Sequence, residues 1–222
     1  MTLTFTAAAV LVSLAGSPAN DSFLEEALFA GGARDRAELD RLVKLFHARV
    51  DPMVAAVKDQ SNKQIAAQLL LRRLHLTYGD TEALLKEYKQ GSFSINEALD
   101  TGKFNCLSSS MLFILAARMA GLDAEGERYW DHARLIVTID GKDFQVEATS
   151  AFGWDVPATY TRFRYTSLTT VALVEETPNA RGDSFLVDAT WAWANEPRDA
   201  KWAARVEPTP PPLISAFSVA KP

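Results

Sequence analysis

Three residues have the types and the order that acyl-transfer chemistry needs. Cys106 is the only cysteine in the chain, His132 follows it by 26 residues, and Glu147 lies 15 further on. A thiolate is the reactive form of cysteine. An imidazole can take its proton and later return one to a leaving group. A carboxylate on the far ring nitrogen fixes the tautomer and orientation of that imidazole.

The elements that must position these groups are legible around them. Cys106 opens a segment that is apolar on nearly every side through Leu107, Met111, Leu112, Phe113, Ile114, Leu115 and Met119, and Gly121 follows it. Such a pattern predicts a buried helix closed by a C-terminal glycine. A thiol at a helix start meets free backbone N–H groups and the positive end of the dipole, both of which favour thiolate. The Cys106 N–H would point toward a developing oxyanion. Asn105 and Gln90 are the side chains that could add a second donor. Beyond the helix the period changes to two. Leu135, Val137 and Ile139 alternate with Arg134, Ile136 and Thr138, Asp140-Gly141 signals a tight hairpin, and Phe144 and Val146 return. Counted from the turn, His132 and Glu147 are diagonal neighbours across the strand pair.

The run Gly102-Lys-Phe-Asn-Cys106-Leu-Ser-Ser-Ser-Met-Leu-Phe-Ile-Leu-Ala-Ala-Arg-Met-Ala-Gly121 resembles the nucleophile helix of the transglutaminase-like superfamily. His132-Ala133, Gly141 and Val146-Glu147-Ala148-Thr149 resemble its histidine strand and its acid-x-threonine strand end. The resemblance spans Gly102 to Thr149. It implies an α+β fold with a papain-like, transglutaminase-like core: a nucleophile helix packed on a small antiparallel sheet, with a helical N-terminal region. It further implies Cys106 as nucleophile, His132 as base and Glu147 as orienter. Alanine stands at 148, where many relatives have proline, and Arg134 where an aromatic is common.

The rest of the chain supplies the frame. Ser22 to Gly102 reads as helical, with Leu39, Leu42, Val43, Phe46 and Val50 in one stripe and Ile65, Leu69, Leu70 and Leu74 in another. Asp51-Pro52 predicts a break or a new start between them. Thr81 to Lys89 suits a short helix. Ser94 with Glu97 fits a capping box, ending near Thr101-Gly102. Further on, Leu168 to Glu175 and Phe185 to Thr190 read as strands and Pro178 to Asp183 as a loop. The segments Phe144–Thr149 and Phe185–Thr190 echo one another, which we read as chance. The organisation expected is a leader over 1–19, a helical region over 20–101, the core over 102–207 and a proline-rich tail over 208–222.

Composition bounds the function. The 222 residues are 48% hydrophobic and 23% charged, so the chain can bury a core. A net charge of −5 offers no basic excess for phosphates, which argues against nucleic acid as partner. One cysteine cannot form an internal disulfide or a multi-thiolate metal site, and no phosphate-cradling loop or dinucleotide fingerprint occurs, so no cofactor or metal is expected. Phe5 to Ala15 is an apolar run ending in Gly16-Ser17-Pro18-Ala19. It resembles a secretory signal cleaved after Ala19, although no basic residue precedes it. With a signal the protein is periplasmic or secreted; read as a buried first element, the same run leaves it cytoplasmic. Stable membrane insertion is not expected. Nothing sets the oligomeric state.

Each candidate has a plainer reading. A cysteine in a greasy helix is usually a small core residue. His132 alone is a strand-edge residue, and Glu147 alone a solvated charge. Asp188 is the rival acid, and Asp131, beside His132, points to the opposite strand face. His47 and His75 read as surface or packing residues on helices. No nucleophile-elbow motif surrounds Ser108, Ser109 and Ser110. The leading expectation is a thiol-dependent hydrolase or acyltransferase acting on an amide of a peptide or protein through a thioester. The alternative is an inactive module of the same fold that binds a protein or cell-envelope partner. An all-helical adaptor is a third reading.

Overall fold

The computed structural model describes residues 18–128, 132–155, 160–167, 170–176 and 180–195. Its centre is the greasy helix foreseen after Asn105. Ser108 to Ala117 are all buried, which is why no polar face was visible in the sequence. In chain order the helices are α1 (Pro18–Ala30), α2 (Arg36–Lys58), α3 (Lys63–His75), α4 (Ile95–Thr101), α5 (Cys106–Met119) and α6 (Ser184–Asn195). The first four and the last all pack on α5. Strands β3 (Asp123–Arg128) and β4 (Ala133–Ile139) pack on it as well. One core runs unbroken from Phe23 in α1 to Leu186 in α6. The fold is therefore α+β, and the strands dispose of the all-helical reading.

The main sheet is antiparallel with the order β5-β4-β3-β8, where β5 is Lys142–Val146 and β8 is Ala180–Arg181. Ala133, Leu135, Val137, Phe144 and Val146 join the core, as alternation requires. Asp140 and Gly141 adopt φ values of 52° and 77°, the left-handed pair that a two-residue hairpin turn needs. The register Ile139↔Lys142 through Leu135↔Val146 follows from that turn. Two short parallel strands, β1 (Glu87–Tyr88) and β2 (Lys103–Phe104), sit beside the start of α5. A separate hairpin joins β6 (Tyr160–Ser167) and β7 (Thr170–Glu176), the latter covering most of the strand expected over 168–175.

Three expectations are corrected, and one strand was not foreseen. Pro52 lies inside α2, which runs through it without a break. An interior proline costs about 3 kcal/mol. Burial of Phe46, Val50, Met53, Val54 and Val57 on the same face outweighs that cost at about 1.5–3 kcal/mol for each large side chain. Thr81 to Lys89 is extended rather than helical. The N–H groups of Leu84 and Leu85 cap α3 on the Leu74 carbonyl, and β1 then pairs with β2. Phe185 to Thr190 is helix, not strand. Leu186 and Thr190 are buried one turn apart, and the Thr190 hydroxyl donates to the Leu186 carbonyl at 2.8 Å. The echo with Phe144–Thr149 is thus two different structures from similar letters. Lastly, Asp123–Arg128 is a central strand that its charges concealed. Arg134, fully buried on β4, donates to Gln145 at 2.8 Å and to Glu127 at 3.3 Å, tying three strands together on the face away from α5.

Among the described residues no helix is long and apolar enough to cross a membrane. The leader expected over 1–19, apart from its last two residues, and the whole of the tail over 208–222 lie outside the described residues, as does Asp131.

Candidate active site

Cys106 owes its position to the residue before it. Asn105 has extended backbone, and its side-chain carbonyl accepts from the N–H groups of Leu107 at 2.9 Å and Ser108 at 3.3 Å. The Ser108 hydroxyl in turn accepts from the Asn105 N–H at 3.0 Å, completing a reciprocal capping box. The helix start is thereby fixed with Cys106 at its first position. The residue is half-buried and packs against the edge of the core.

His132 and Glu147 arrive from the hairpin. Extending the register of β4 and β5 sets Glu147 opposite Arg134, one diagonal step from His132. The His132 Nε2 lies 2.5 Å from Glu147 Oε2, with both side chains largely buried. The Cys106 side chain is the ring's other hydrogen-bonding partner, which leaves Nδ1 for the sulfur. Burial pulls the pKa of His132 down, but the hydrogen bonds and opposite charges of Cys106 and Glu147 outweigh it and push the pKa up to about 10. Burial likewise pushes the Glu147 carboxyl up, and the His132 contact with two bonds from Thr149 outweighs it, holding the carboxyl below its ordinary range. Those two bonds are Thr149 Oγ1 to Glu147 Oε1 at 2.7 Å and the Thr149 N–H to the same oxygen at 3.2 Å.

The loop that carries the acid folds back on itself. The Glu147 N–H donates to the Gly153 carbonyl at 2.7 Å, and Trp154 bridges back to Val146 and stacks on Phe144. A Cβ at Gly153 would sit 2.0 Å from the Glu147 carbonyl oxygen, so only glycine permits this approach.

The structure brings together Cys106, His132 and Glu147. It sets Asp188 elsewhere, exposed on α6, while the carboxylate on His132 comes from Glu147. Asn105, the oxyanion-donor candidate, has its side chain at the helix cap. Its carbonyl is spent on the helix cap, and its Nδ2 donates to the Gln90 carbonyl at 3.0 Å. His47 pairs with Asp51 on α2. His75 and Gly153 are the residues that sequence reasoning missed. The partners of both are backbone carbonyls, which leave no mark in side-chain patterns. Among the described residues no cluster of three metal-ligating side chains occurs. The arrangement holds a thiol at a helix N-terminus, an imidazolium against it and a carboxylate behind, which suits attack on an acyl carbon. No known family's sequence profile, no curated protein and no solved structure matches this chain.

Proposed function

We propose that this chain is a transglutaminase-like, thiol-dependent hydrolase or acyltransferase with a papain-like core. It acts on an amide of a peptide-like substrate through a thioester on Cys106. The observation that carries the reading is His132 held between the Cys106 thiol and the Glu147 carboxylate, at the start of a capped helix.

The steps follow from the geometry. The Cys106 thiolate attacks the amide carbonyl, forming a C–S bond, and the Cys106 N–H receives the developing oxyanion. As the C–N bond breaks, His132 gives its proton to the departing nitrogen and becomes neutral. Water or an amine then attacks the thioester while His132 takes its proton. The C–S bond breaks and the thiolate–imidazolium pair returns. Glu147 holds the ring throughout and stabilises its charged form.

Iodoacetamide labelling across pH tests this reading, since the one cysteine makes the label residue-specific. Alkylation that stays fast below pH 7 and loses this arm in His132→Ala is the expected result. An ordinary thiol profile, unchanged by His132→Ala, removes the case.

A second reading is a non-catalytic binding module on the same fold. Its supporting observation is Asn105, whose Oδ1 caps α5 and whose Nδ2 already donates to the Gln90 carbonyl. If Cys106→Ala abolishes biological function while folding and partner binding persist, this second reading fails.

A further inference from the structure

His75 lies at the last turn of α3, away from the three residues above, yet it touches the segments that carry two of them. Its Nε2 is 2.9 Å from the Ala148 carbonyl oxygen, one residue past Glu147. Its ring packs edge-on against Phe104, with centroids 5.3 Å apart, two residues before Cys106. Phe104 is itself buried and belongs to β2. One imidazole therefore spans the acid-bearing loop and the strand leading into the nucleophile helix.

We infer that His75 is a positioning residue that fastens the Glu147 loop to the segment bearing Cys106, and so sets the distance across which His132 must reach. This rests on the functional reading above.

The chemistry of the contact is one-directional. A carbonyl oxygen only accepts, so Nε2 must carry the hydrogen. Burial holds the pKa of His75 below its ordinary value, with the Ala148 bond opposing, so the ring is neutral at neutral pH in the Nε2–H tautomer. A neutral donor is what a loop beside a charged imidazolium requires, because a second cation there would compete for Glu147. The loop has other internal ties, namely Glu147 N–H to Gly153 and Ser150 N–H to Glu147 at 3.3 Å. Those ties close the loop on itself. The bond from His75 ties it to α3, from which Arg72 also lies over the Phe152 ring at 5.6 Å.

The experiment uses the full chain labelled with 15N-histidine. Three histidines give three ring signals, which single variants assign. The wild type should show His75 neutral and protonated on Nε2 at pH 7. In His75→Ala, His132 should titrate at lower pH, and alkylation of Cys106 at pH 6.5 should fall about tenfold, the size of one weakened charge-assisted hydrogen bond. His75→Gln, which keeps a nitrogen donor at similar reach, should recover most of both. A purely packing role would instead be rescued by His75→Phe and not by His75→Gln. The inference is overturned if wild-type His75 carries its proton on Nδ1, or if a folded His75→Ala leaves the His132 titration unchanged. Should His75→Ala fail to fold, the tautomer and the Gln-against-Phe comparison decide. The failures separate cleanly. Alkylation indifferent to His132→Ala removes the catalytic reading, whereas a His132 titration indifferent to His75 removes this one.

Discussion

Replacing Glu147 by glutamine is the sharpest perturbation of the site, because it keeps shape and removes only charge. The carboxylate faces His132 at 2.5 Å and accepts two bonds from Thr149. Glutamine can still accept through its oxygen, so the loop should hold. The loss is the charge assistance to the imidazolium, about 1.5–3 kcal/mol for a hydrogen bond to a charged group. At 1.36 kcal/mol per unit, that lowers the folded-state pKa of His132 by about one to two units. From the value of about 10, the ring should then titrate near 8 to 9. Histidine NMR across pH 5 to 11 reads this directly. A His132 signal that titrates at the same pH in both proteins would refute the reasoning. So would a wild-type ring titrating at or below 6.5, since burial would then have offset both partners.

Four other outcomes are expected. Gly153→Ala forces the Glu147 carbonyl away from a Cβ that would lie 2.0 Å from it, and should reduce turnover of any acyl substrate by about a hundredfold, as a misplacement near 1 Å does. Steady-state kinetics with the His132 titration checks it. Asn105→Ala removes a helix cap and should cost about 0.5–2 kcal/mol, read as a fall in Tm of about 1–8 °C. Arg134→Met leaves the buried Glu127 without its guanidinium and should cost about 3–5 kcal/mol in denaturant unfolding. Adding Glu127→Met should recover most of that. The His132–Glu147 pair also sets a pH window. Glu147, with its pKa lowered, contributes fully above about 4.5 and loses its contribution as pH falls. His132, with its pKa raised, contributes fully below about 6.5, and that contribution is lost as pH rises through about 10. The stability gap between the wild type and His132→Ala should therefore be widest between these limits and close toward pH 10.

Local signals were readable wherever the responsible atoms lie close in sequence. The α5 helix and the Asp140-Gly141 turn are each specified within a few residues, and the turn alone fixes the register that brings Glu147 near His132. Ser94 likewise accepts from the Glu97 N–H at 3.2 Å, and Gly102 takes the left-handed φ of 77° that ends α4. Where partners are distant, the reading failed. Thr81 to Lys89 has helix-forming residues, yet its backbone is claimed by the end of α3 and by β2. The β3 segment Asp-Ala-Glu-Gly-Glu-Arg carries no strand signature of its own; Arg134 and Arg181 are brought against its glutamates by other strands.

The same division runs through the site. Cys106, His132 and Glu147 could be picked out because each is a chemically distinctive side chain near an element boundary. What holds them is chemically plain: a carbonyl at Ala148, a missing Cβ at Gly153, a capping amide at Asn105. His75 shows why this matters. It lies 73 residues from the carbonyl it binds, and in the sequence it looks like any helix-end histidine. Only the fold reveals that its two contacts fall on the two segments whose separation decides whether the imidazole can serve both sulfur and carboxylate. The trio is thus specified by a few letters, while its geometry is a property of the whole core from α3 to β5.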